Sequence, residues 1–349
     1  MATHEQDIKT FTISACLTGT FSMALLKSRF INKELHLLEK IRARETRIYA
    51  SKDEEIIKIY NNRANNINKF NLCYMIINYL DSVSYMYIFG PIFAPVETVY
   101  DSVKNTTHIH KQLPIESWMP FNVDEHFLKA LFLEEFLSTF CMVLSFGSDI
   151  FFYGYIGYMV GQLEILNYIL LNFETYKERV KQQLNCDDEK ANYVTVQLCI
   201  KEHQIVLGYI DDYNNSMRTM MLLDFLHSSA QLAMISIIIL LCVTDNLIKI
   251  SGLGFAVILL CRLGIFYWLA NDVIVKSFDL ADAVYKIHWY QKSQRTKTLL
   301  KIFLFKCNQL TGLQIGQLSI MSWDIFFLIL KTAYSYLTFV YKYKDEILG

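Results

Sequence analysis

Six long stretches of apolar residues alternate with charged segments along the 349-residue chain. A helix needs about 20 mainly apolar residues to cross the hydrocarbon core of a bilayer. Stretches of roughly this kind lie at 11–26, 70–90, within 127–160, and at 222–243, 252–270 and 318–341. The pattern therefore predicts an all-α, polytopic membrane protein with six visible transmembrane helices.

Basic residues are concentrated in alternate segments between these stretches. Lys and Arg number 24 in the segments 27–69, 161–221 and 276–316, against 6 in the other loops and the two ends. Because cytoplasmic loops of membrane proteins are enriched in Lys and Arg, the three basic segments are predicted to be cytoplasmic. Both ends of the visible chain are then expected outside.

The cytoplasmic segments are expected to be folded. In LEILNYILLNFETYKERVKQQL, 163–184, apolar residues recur at helical spacing among charges, which predicts helices that continue below the membrane and pack there. The loop 91–126 lies on the outer side in this topology. Its sequon at Asn105 is therefore a candidate glycosylation site, whereas the sequon at Asn214 is predicted to be cytoplasmic and unused.

Composition agrees with a membrane protein and offers no catalytic chemistry. The chain is 53% hydrophobic and 14% aromatic, with a mean hydropathy of +0.24. Its eight cysteines are scattered without ligand spacing, which is typical of small buried hydrophobes. The sequence has no HExxH, P-loop or GxSxG motif, and its net charge of -1 gives no support for a nucleic-acid partner. No enzyme activity, cofactor or metal is predicted.

Polar residues inside the apolar stretches mark a candidate ligand pocket, because such residues are costly in a membrane and are often functional there. In the second stretch, Asp81 lies among aromatic and hydroxyl side chains. Aromatic surface with a few hydroxyl groups suits small volatile molecules. The candidate ligand-binding residues are Tyr79, Ser82 and Tyr85 on the second stretch and Phe136, Leu137 and Phe140 on the third. Helix packing, with the hydroxyls bonded to neighbouring helices, remains the alternative. Asp149 is deeper and is expected to pair with a neighbouring helix.

Three further stretches of the chain are informative in their order and spacing. The first is LPIESWMPF, 113–121. The second is FYWLANDVIVKSFDLADAVYKIHWY, 266–290, and the third is ILKTAYSYLTFVYK, 329–342. These stretches resemble segments of the insect odorant receptors, with Ser277, Ala283, Tyr285 and Trp289 in the family's order. The resemblance implies a seven-helix fold with an extracellular C-terminus and with helices that extend into a cytoplasmic anchor. The six visible stretches then correspond to the family's second to seventh spans, and the first span has no counterpart.

The resemblance also implies a function. It implies a ligand-binding subunit of an odorant-gated non-selective cation channel, formed with the odorant co-receptor as a heterotetramer in the plasma membrane of olfactory sensory neuron dendrites. A small apolar volatile would be its ligand, and membrane lipid would surround it. The chain would divide into a bundle with the ligand pocket, 1–297, and a part with the anchor helix and the terminal pore helix, 298–349.

The terminal helix would supply the pore. In the family, four copies of this helix line a central pore, and the resemblance places Phe339 and Tyr343 in its narrow outer part. Ser335, Phe339 and Tyr343 are four residues apart and therefore share one helix face. A hydrophobic ring of this kind can gate by dewetting. The alternative is that these side chains face lipid or the adjacent helix.

Two other functions remain as alternatives. A gustatory-type receptor would form a channel of its own, but the terminal Thr-Tyr and Gln-Phe pattern of those receptors is absent. A six-span transporter would predict an inverted internal repeat with broken helices at matching positions, and the sequence has neither.

The predicted topology has a direct test. An epitope fused after Gly349 should be stained in intact cells that express the chain with the co-receptor, because the C-terminus is predicted to lie outside. Staining that requires permeabilised cells would contradict the topology and the channel function together.

Overall fold

The computed structural model describes residues 2–84, 96–101, 106–111, 113, 118–123, 125–241 and 246–342. This part of the chain is almost entirely helical, as the apolar pattern predicts. Its α-helices are α1 (Ala2–Lys33), α2 (Leu35–Ala50), α3 (Glu54–Ser84), α4 (Phe127–Leu171), α5 (Phe173–Leu184), α6 (Asp188–Leu241), α7 (Asn246–Lys286), α8 (Gln294–Cys307) and α9 (Trp323–Lys342). The described strands pair as antiparallel hairpins, β1 (Val96–Asp101) with β2 (Thr106–Lys111) and β3 (Gln314–Ile315) with β4 (Ser319–Ile320).

The framework consists of three helices that are longer than a membrane is thick. Helices α4, α6 and α7 have 45, 54 and 41 residues. At 1.5 Å per residue they extend over about 60 to 80 Å, against a hydrocarbon core of about 30 Å. By length and composition alone, one helix of the described residues, Gly252–Lys286 within α7, is long and apolar enough to cross a membrane. The predicted continuation of the helices beyond the bilayer is confirmed by these lengths.

The core is centred on the second half of α4, which packs against α7, α3 and α1. Phe152, Tyr153, Ile156 and Met159 are fully buried. The ring of Tyr153 meets that of Tyr74 on α3 edge-on, with the ring centroids 5.6 Å apart. Aromatic pairs in this geometry stabilise a core beyond the apolar area that they bury.

Helices α3 and α4 approach closely at Gly157. A Cβ atom at this position would lie 1.9 Å from Cδ1 of Ile67, so that the side chain of Ile67 occupies the space above the bare glycine backbone. Glycine is therefore required here for packing rather than for its backbone freedom. Small residues at helix crossings serve the same purpose in other membrane proteins.

The helices of the segments that are predicted to be cytoplasmic are held together by charged contacts. Asp53, between α2 and α3, accepts hydrogen bonds from Tyr176, at 2.9 Å, and from Arg179 on α5. Burial raises the pKa of Asp53, but the hydrogen bonds from Tyr176 and Arg179 outweigh it, and the pKa lies below its usual value. The prediction that these segments are folded helices is confirmed.

Helix α8 buries one face and exposes the other. Its N-cap is Ser293, whose hydroxyl oxygen accepts a hydrogen bond from the backbone N–H of Thr296. Phe303 is buried against His203 of α6, with ring centroids 5.4 Å apart. Burial lowers the pKa of His203 to about 4, with a smaller contribution from the charge of Lys306, so that this ring is neutral at pH 7. On the other face of α8, Phe305 is 70% exposed.

The sixth apolar stretch is helical over a shorter range than predicted. The stretch 318–341 was expected to be one span, but the residues before Trp323 form the β3–β4 hairpin, which turns at Gly316 with φ +57°. The turn is bonded to α6. The side-chain amide of Asn214 donates to the carbonyl of Gly312 and accepts from the N–H of Gln314, at 3.1 and 2.8 Å. These tertiary hydrogen bonds override the local apolar pattern.

The close approach of α3 and α4 predicts a difference between two neighbouring glycines of α4. Gly157→Ala should lower the stability of the detergent-solubilised protein by about 1–3 kcal/mol, since the added methyl group must displace Ile67. Gly154→Ala is the matched control, because a Cβ atom there would meet no atom within 4 Å. Equal thermal-unfolding midpoints for the two variants would contradict the close approach.

Candidate functional site

A cavity of about 300 Å³ lies inside the helical bundle. It is bounded by α1, α3, α4, α6 and α7, and its wall is mainly apolar with a few polar groups. The lining residues are Leu17, Thr20, Phe21, Met23, Ala24, Lys27, Tyr74, Asn78, Glu134, Leu137, Ser138, Cys141, Met142, Ser145, Phe146, Asp224, His227, Gln231, Phe255, Ile258, Leu259 and Arg262. An apolar cavity with few convergent polar groups is the usual form of a small-molecule site.

Helical spacing places the lining side chains on the faces that point inward. On α4, lining residues recur at three- and four-residue intervals from Glu134 to Phe146. These 12 residue steps correspond to about 18 Å along the helix axis. The cavity is therefore long enough for an extended molecule whose axis follows α4.

Three charged side chains at the floor of the cavity, Lys27, Asp224 and Arg262, form ion pairs with one another and with Asp149, which is outside the lining. The Nζ atom of Lys27 lies 2.9 Å from Asp149 and 2.8 Å from Asp224. Arg262 lies 3.0 Å from Asp149 through Nε and 2.7 Å from Asp224 through a terminal nitrogen. Each cation thus contacts both carboxylates. We call these four residues the ion-pair cluster. It joins α1, α4, α6 and α7, and its formal charge is zero.

Neighbouring hydroxyl groups complete the hydrogen bonding of the ion-pair cluster. Tyr74 donates to Asp149 at 3.1 Å, and Arg262 donates to the hydroxyl oxygen of Ser228 at 3.4 Å. Both carboxylates are buried, with Asp149 only 1% exposed. Charges taken out of water are tolerated only when they are paired and hydrogen-bonded, so the cluster constrains the helices that carry it.

Most of the other polar groups in the cavity wall are bonded within the protein. The side-chain amide of Gln231 donates to the hydroxyl of Thr20 at 2.8 Å, and Thr20 donates to the carbonyl of Cys16 at 2.8 Å. Asn78 donates to the carbonyl of Tyr74 at 2.7 Å. His227 differs from these residues, because neither ring nitrogen, although buried, has a hydrogen-bond partner among the described residues.

The structure separates the residues that the sequence grouped as a pocket. Leu137 lines the cavity. Phe136, Phe140 and Tyr79 are outside its lining and are 60%, 55% and 56% exposed. Phe136 and Phe140 lie on the face of α4 opposite to the cavity, since successive helix residues are about 100° apart. The side chain of Ser82 is outside the described part of the chain, as is the whole of Tyr85.

The predicted pairing of Asp149 with a neighbouring helix is confirmed by its contacts with Lys27 and Arg262. The sequence pattern alone did not identify these two partners, nor Asp224 and His227. A signal for the charged partners was available: Lys27, Asp224 and Arg262, like Asp149, lie within or directly beside apolar stretches, where charges are expected to neutralise one another.

The remaining predicted sites are on the terminal helix and in the outer loop. Ser335 and Phe339 are exposed on α9, and the hydroxyl of Ser335 donates to the carbonyl of Lys331 at 2.9 Å. Tyr343 and Asn105 lie outside the described residues. The assignment of Ser335, Phe339 and Tyr343 to a pore therefore stays a prediction.

A second cavity of about 300 Å³ lies between α2, α3 and α4. Arg63 borders it and binds Asp272 at 2.7 Å and Glu164 at 3.6 Å. Burial raises the pKa of Glu164, against the lowering effect of the Arg63 charge. This cavity lies on the predicted cytoplasmic side, where α2 and the start of α3 pack against α4.

The family model described as 7tm Odorant receptor matches residues 5–334 of the chain. Odorant receptor Or2 of Anopheles gambiae is 24% identical over 147 residues, which cover 42% of this chain and 38% of that receptor. The Odorant receptor coreceptor of Aedes aegypti is 21% identical over 141 residues, which cover 40% of this chain and 30% of the co-receptor. The matched part therefore spans less than half the length of either relative.

Two solved structures have a similar fold. The insect olfactory receptor OR5 from Machilis hrabei superposes with a TM-score of 0.71 at 12% identity, over 95% of this chain and 81% of that one. The same receptor in complex with eugenol gives a TM-score of 0.70 at 12% identity, over 96% and 82%. At this identity the similarity establishes the helical fold.

The ion-pair cluster predicts a large effect of removing one charge. Lys27→Met leaves two buried carboxylates with Arg262 as their one cation within the cluster, and it should destabilise the protein by about 3 kcal/mol or more. Thermal unfolding in detergent measures this loss. The double variant Lys27→Met with Asp149→Asn restores charge balance and should recover part of the stability.

The control for this prediction is Lys58, which is 66% exposed at the side chain and pairs with Glu55 at 3.6 Å. Lys58→Met should change stability by less than about 1 kcal/mol, because exposed ion pairs contribute little. Equal effects of the two lysine substitutions would contradict a stabilising role of the ion-pair cluster.

Proposed function

The chain belongs to the 7tm odorant receptor family, and on that basis we propose that it is the ligand-binding subunit of an odorant-gated non-selective cation channel formed with the odorant co-receptor. Its ligand would be a small apolar or amphipathic volatile. The proposed location is the plasma membrane of olfactory sensory neuron dendrites. The proposed division is a ligand-binding bundle, 1–297, followed by an anchor and pore part, 298–349.

One observation carries this proposal: a mainly apolar cavity of about 300 Å³ lies within the bundle, above a floor of paired charges. Its apolar wall can bind a small apolar molecule through van der Waals contacts, and its few polar groups can orient that molecule. The eugenol complex of the olfactory receptor of similar fold supports the view that this architecture can accept a small organic ligand.

A structural connection leads from the cavity to the terminal helix. Helix α6 carries Asp224 and His227 in the cavity wall, and six residues before Asp224 it contacts the β3–β4 hairpin. There the N–H of Gly316 donates to the carbonyl of Arg218 at 2.8 Å. Since the hairpin leads directly into α9, a ligand that shifts α6 would shift the start of α9. Such a ligand must bind the open state more tightly than the closed state.

The exposed apolar surfaces of α8 and α9 support assembly with other subunits. On α8, Ile302 and Phe305 are 60% and 70% exposed, and on α9 Tyr334 is 68% exposed. Contiguous exposed apolar residues mark contact surfaces with protein or lipid. In the proposed channel α8 anchors the subunits beneath the membrane, and Ser335, Phe339 and Tyr343 of α9 face the pore. Asn105 is the proposed glycosylation site on the outer surface.

Recordings with a cavity-filling variant test the proposed ligand site. Cells that express the chain with the co-receptor should respond to volatile organic compounds with a cation current. Cys141→Phe should raise the half-maximal ligand concentration by about tenfold or more, because the ring fills part of the cavity. Val143→Phe is the control, since Val143 lies on the same helix, is 65% exposed and is outside the lining.

These recordings separate the competing outcomes. Equal ligand responses of the two variants, at equal surface expression, would contradict the cavity as the ligand site. Currents of full size without any co-receptor would contradict the heteromeric channel and favour a gustatory-type assembly. Ligand-driven substrate uptake without current would indicate transport.

The proposed position of Phe339 in the pore predicts that its substitution changes the current in the absence of ligand. Phe339→Ala should increase the current in the absence of ligand, since a smaller side chain widens an apolar constriction and weakens dewetting. Tyr341→Ala is the control, because Tyr341 lies about 200° around the helix from Phe339. Basal currents that are identical in the two variants would contradict the placement of Phe339 in the pore.

A further inference from the structure

His227 is a polar residue in the cavity wall without a partner inside the described part of the protein. It lies on α6, one helical turn beyond Asp224 and one turn before Gln231. Both ring nitrogens are buried, and no donor or acceptor of the described residues reaches them. By contrast, the polar side chains of Thr20, Gln231 and Asn78 in the same wall have hydrogen bonds within the protein.

The position of the imidazole ring is fixed by a glycine. A Cβ atom at Gly19 would lie 2.8 Å from Nε2 and 3.2 Å from Cδ2 of His227. The ring therefore packs on the bare backbone of α1, in space that any larger residue would fill. This packing holds a polar ring at the base of the cavity, next to the ion-pair cluster.

The chemistry of the imidazole ring defines which hydrogen-bond partners could bind it. A neutral imidazole offers one hydrogen-bond donor and one acceptor. A buried polar group without a partner is destabilising, and a ligand that supplies the partner recovers that free energy on binding. A hydroxyl or carbonyl group can fill this role, whereas a hydrocarbon has no group that can.

The charges around the cavity favour an uncharged ligand head. The charges that act on His227 belong to Asp224, Arg262 and Lys27. With Asp149 these residues are mutually paired, and their charges sum to zero. Glu134 also lines the cavity. It lies 15 residues before Asp149 on α4, about 22 Å away along the helix, and thus at the opposite end from the floor.

We propose that His227 is the hydrogen-bonding group that selects the ligand, and that the cavity takes neutral amphipathic molecules with one hydroxyl or carbonyl head. The head bonds to the imidazole at the floor, and the apolar tail extends along α4 toward the outer end. This inference rests on the proposed function of the cavity as the odorant site, and it names the chemical class that the site recognises.

Four probes of similar length and different heads test the selection: 1-octanol, 2-octanone, n-nonane and n-octylamine. Currents are recorded from the chain assembled with the co-receptor. In the unmodified receptor, octanol and octanone should act at concentrations roughly 3- to 10-fold lower than nonane, as expected for one hydrogen bond to a neutral group. His227→Phe should abolish this preference while retaining the response to nonane.

Two further variants separate hydrogen bonding from shape. His227→Gln keeps a donor and an acceptor and should retain part of the preference for octanol over nonane. Leu226→Phe introduces the same ring as His227→Phe at the adjacent position, which is 53% exposed and outside the lining, and it should leave the preference unchanged.

Ligand-induced thermal stabilisation of the purified receptor gives a readout that does not depend on a channel. Stabilisation by octanol that is lost in His227→Phe, without any current, would support the selection by His227 and contradict the channel. Currents or stabilisation with the same head-group preference in His227→Phe would overturn the selection and leave the channel intact. The proposed selection would also be overturned if octylamine gave the strongest response of the four probes, or if octanol and octanone did not bind.

Discussion

Four charges that neutralise one another within an apolar bundle constrain the rest of the structure. Lys27, Asp149, Asp224 and Arg262 come from four helices, and each cation contacts both carboxylates. The desolvation of these charges is unfavourable unless all four are in place, so the helices can pack in few relative positions. The cavity lies above this level, and below it α4 buries Phe152, Tyr153 and Ile156 in the core.

The sequence predicted the elements of the fold well and the orientation of their faces poorly. Apolar length and helical spacing were sufficient for the long helices and for their continuation beyond the length of a membrane span. The place of Asp149 within an apolar stretch was sufficient to predict that it pairs with a neighbouring helix. The inward face of α4 was not predictable in this way. A helix that faces lipid on one side is apolar all around, so Phe136 and Phe140 could not be distinguished from Leu137 by hydrophobicity.

Tertiary hydrogen bonds account for the other main difference. The residues before Trp323 are apolar enough to extend the last helix, but they form a hairpin whose partner, Asn214, is about 100 positions earlier in the chain. Local propensity contains no information about such a partner. The same holds for His227, since the lack of a hydrogen-bond partner becomes visible only when all neighbouring side chains are in place.

Asn214 uses both atoms of its amide group to hold the hairpin from which α9 starts. Farther along the same helix α6, the residues from Asp224 onward face the cavity. In a channel of the proposed kind, two parts of one helix then have different roles: one part binds the ligand, and the other holds the segment that leads to the pore helix. Substitutions beyond Asp224 would change which molecules a receptor detects, and substitutions near Asn214 would change how strongly detection opens the pore. A receptor built in this way could acquire a new chemical preference without having to rebuild its gate.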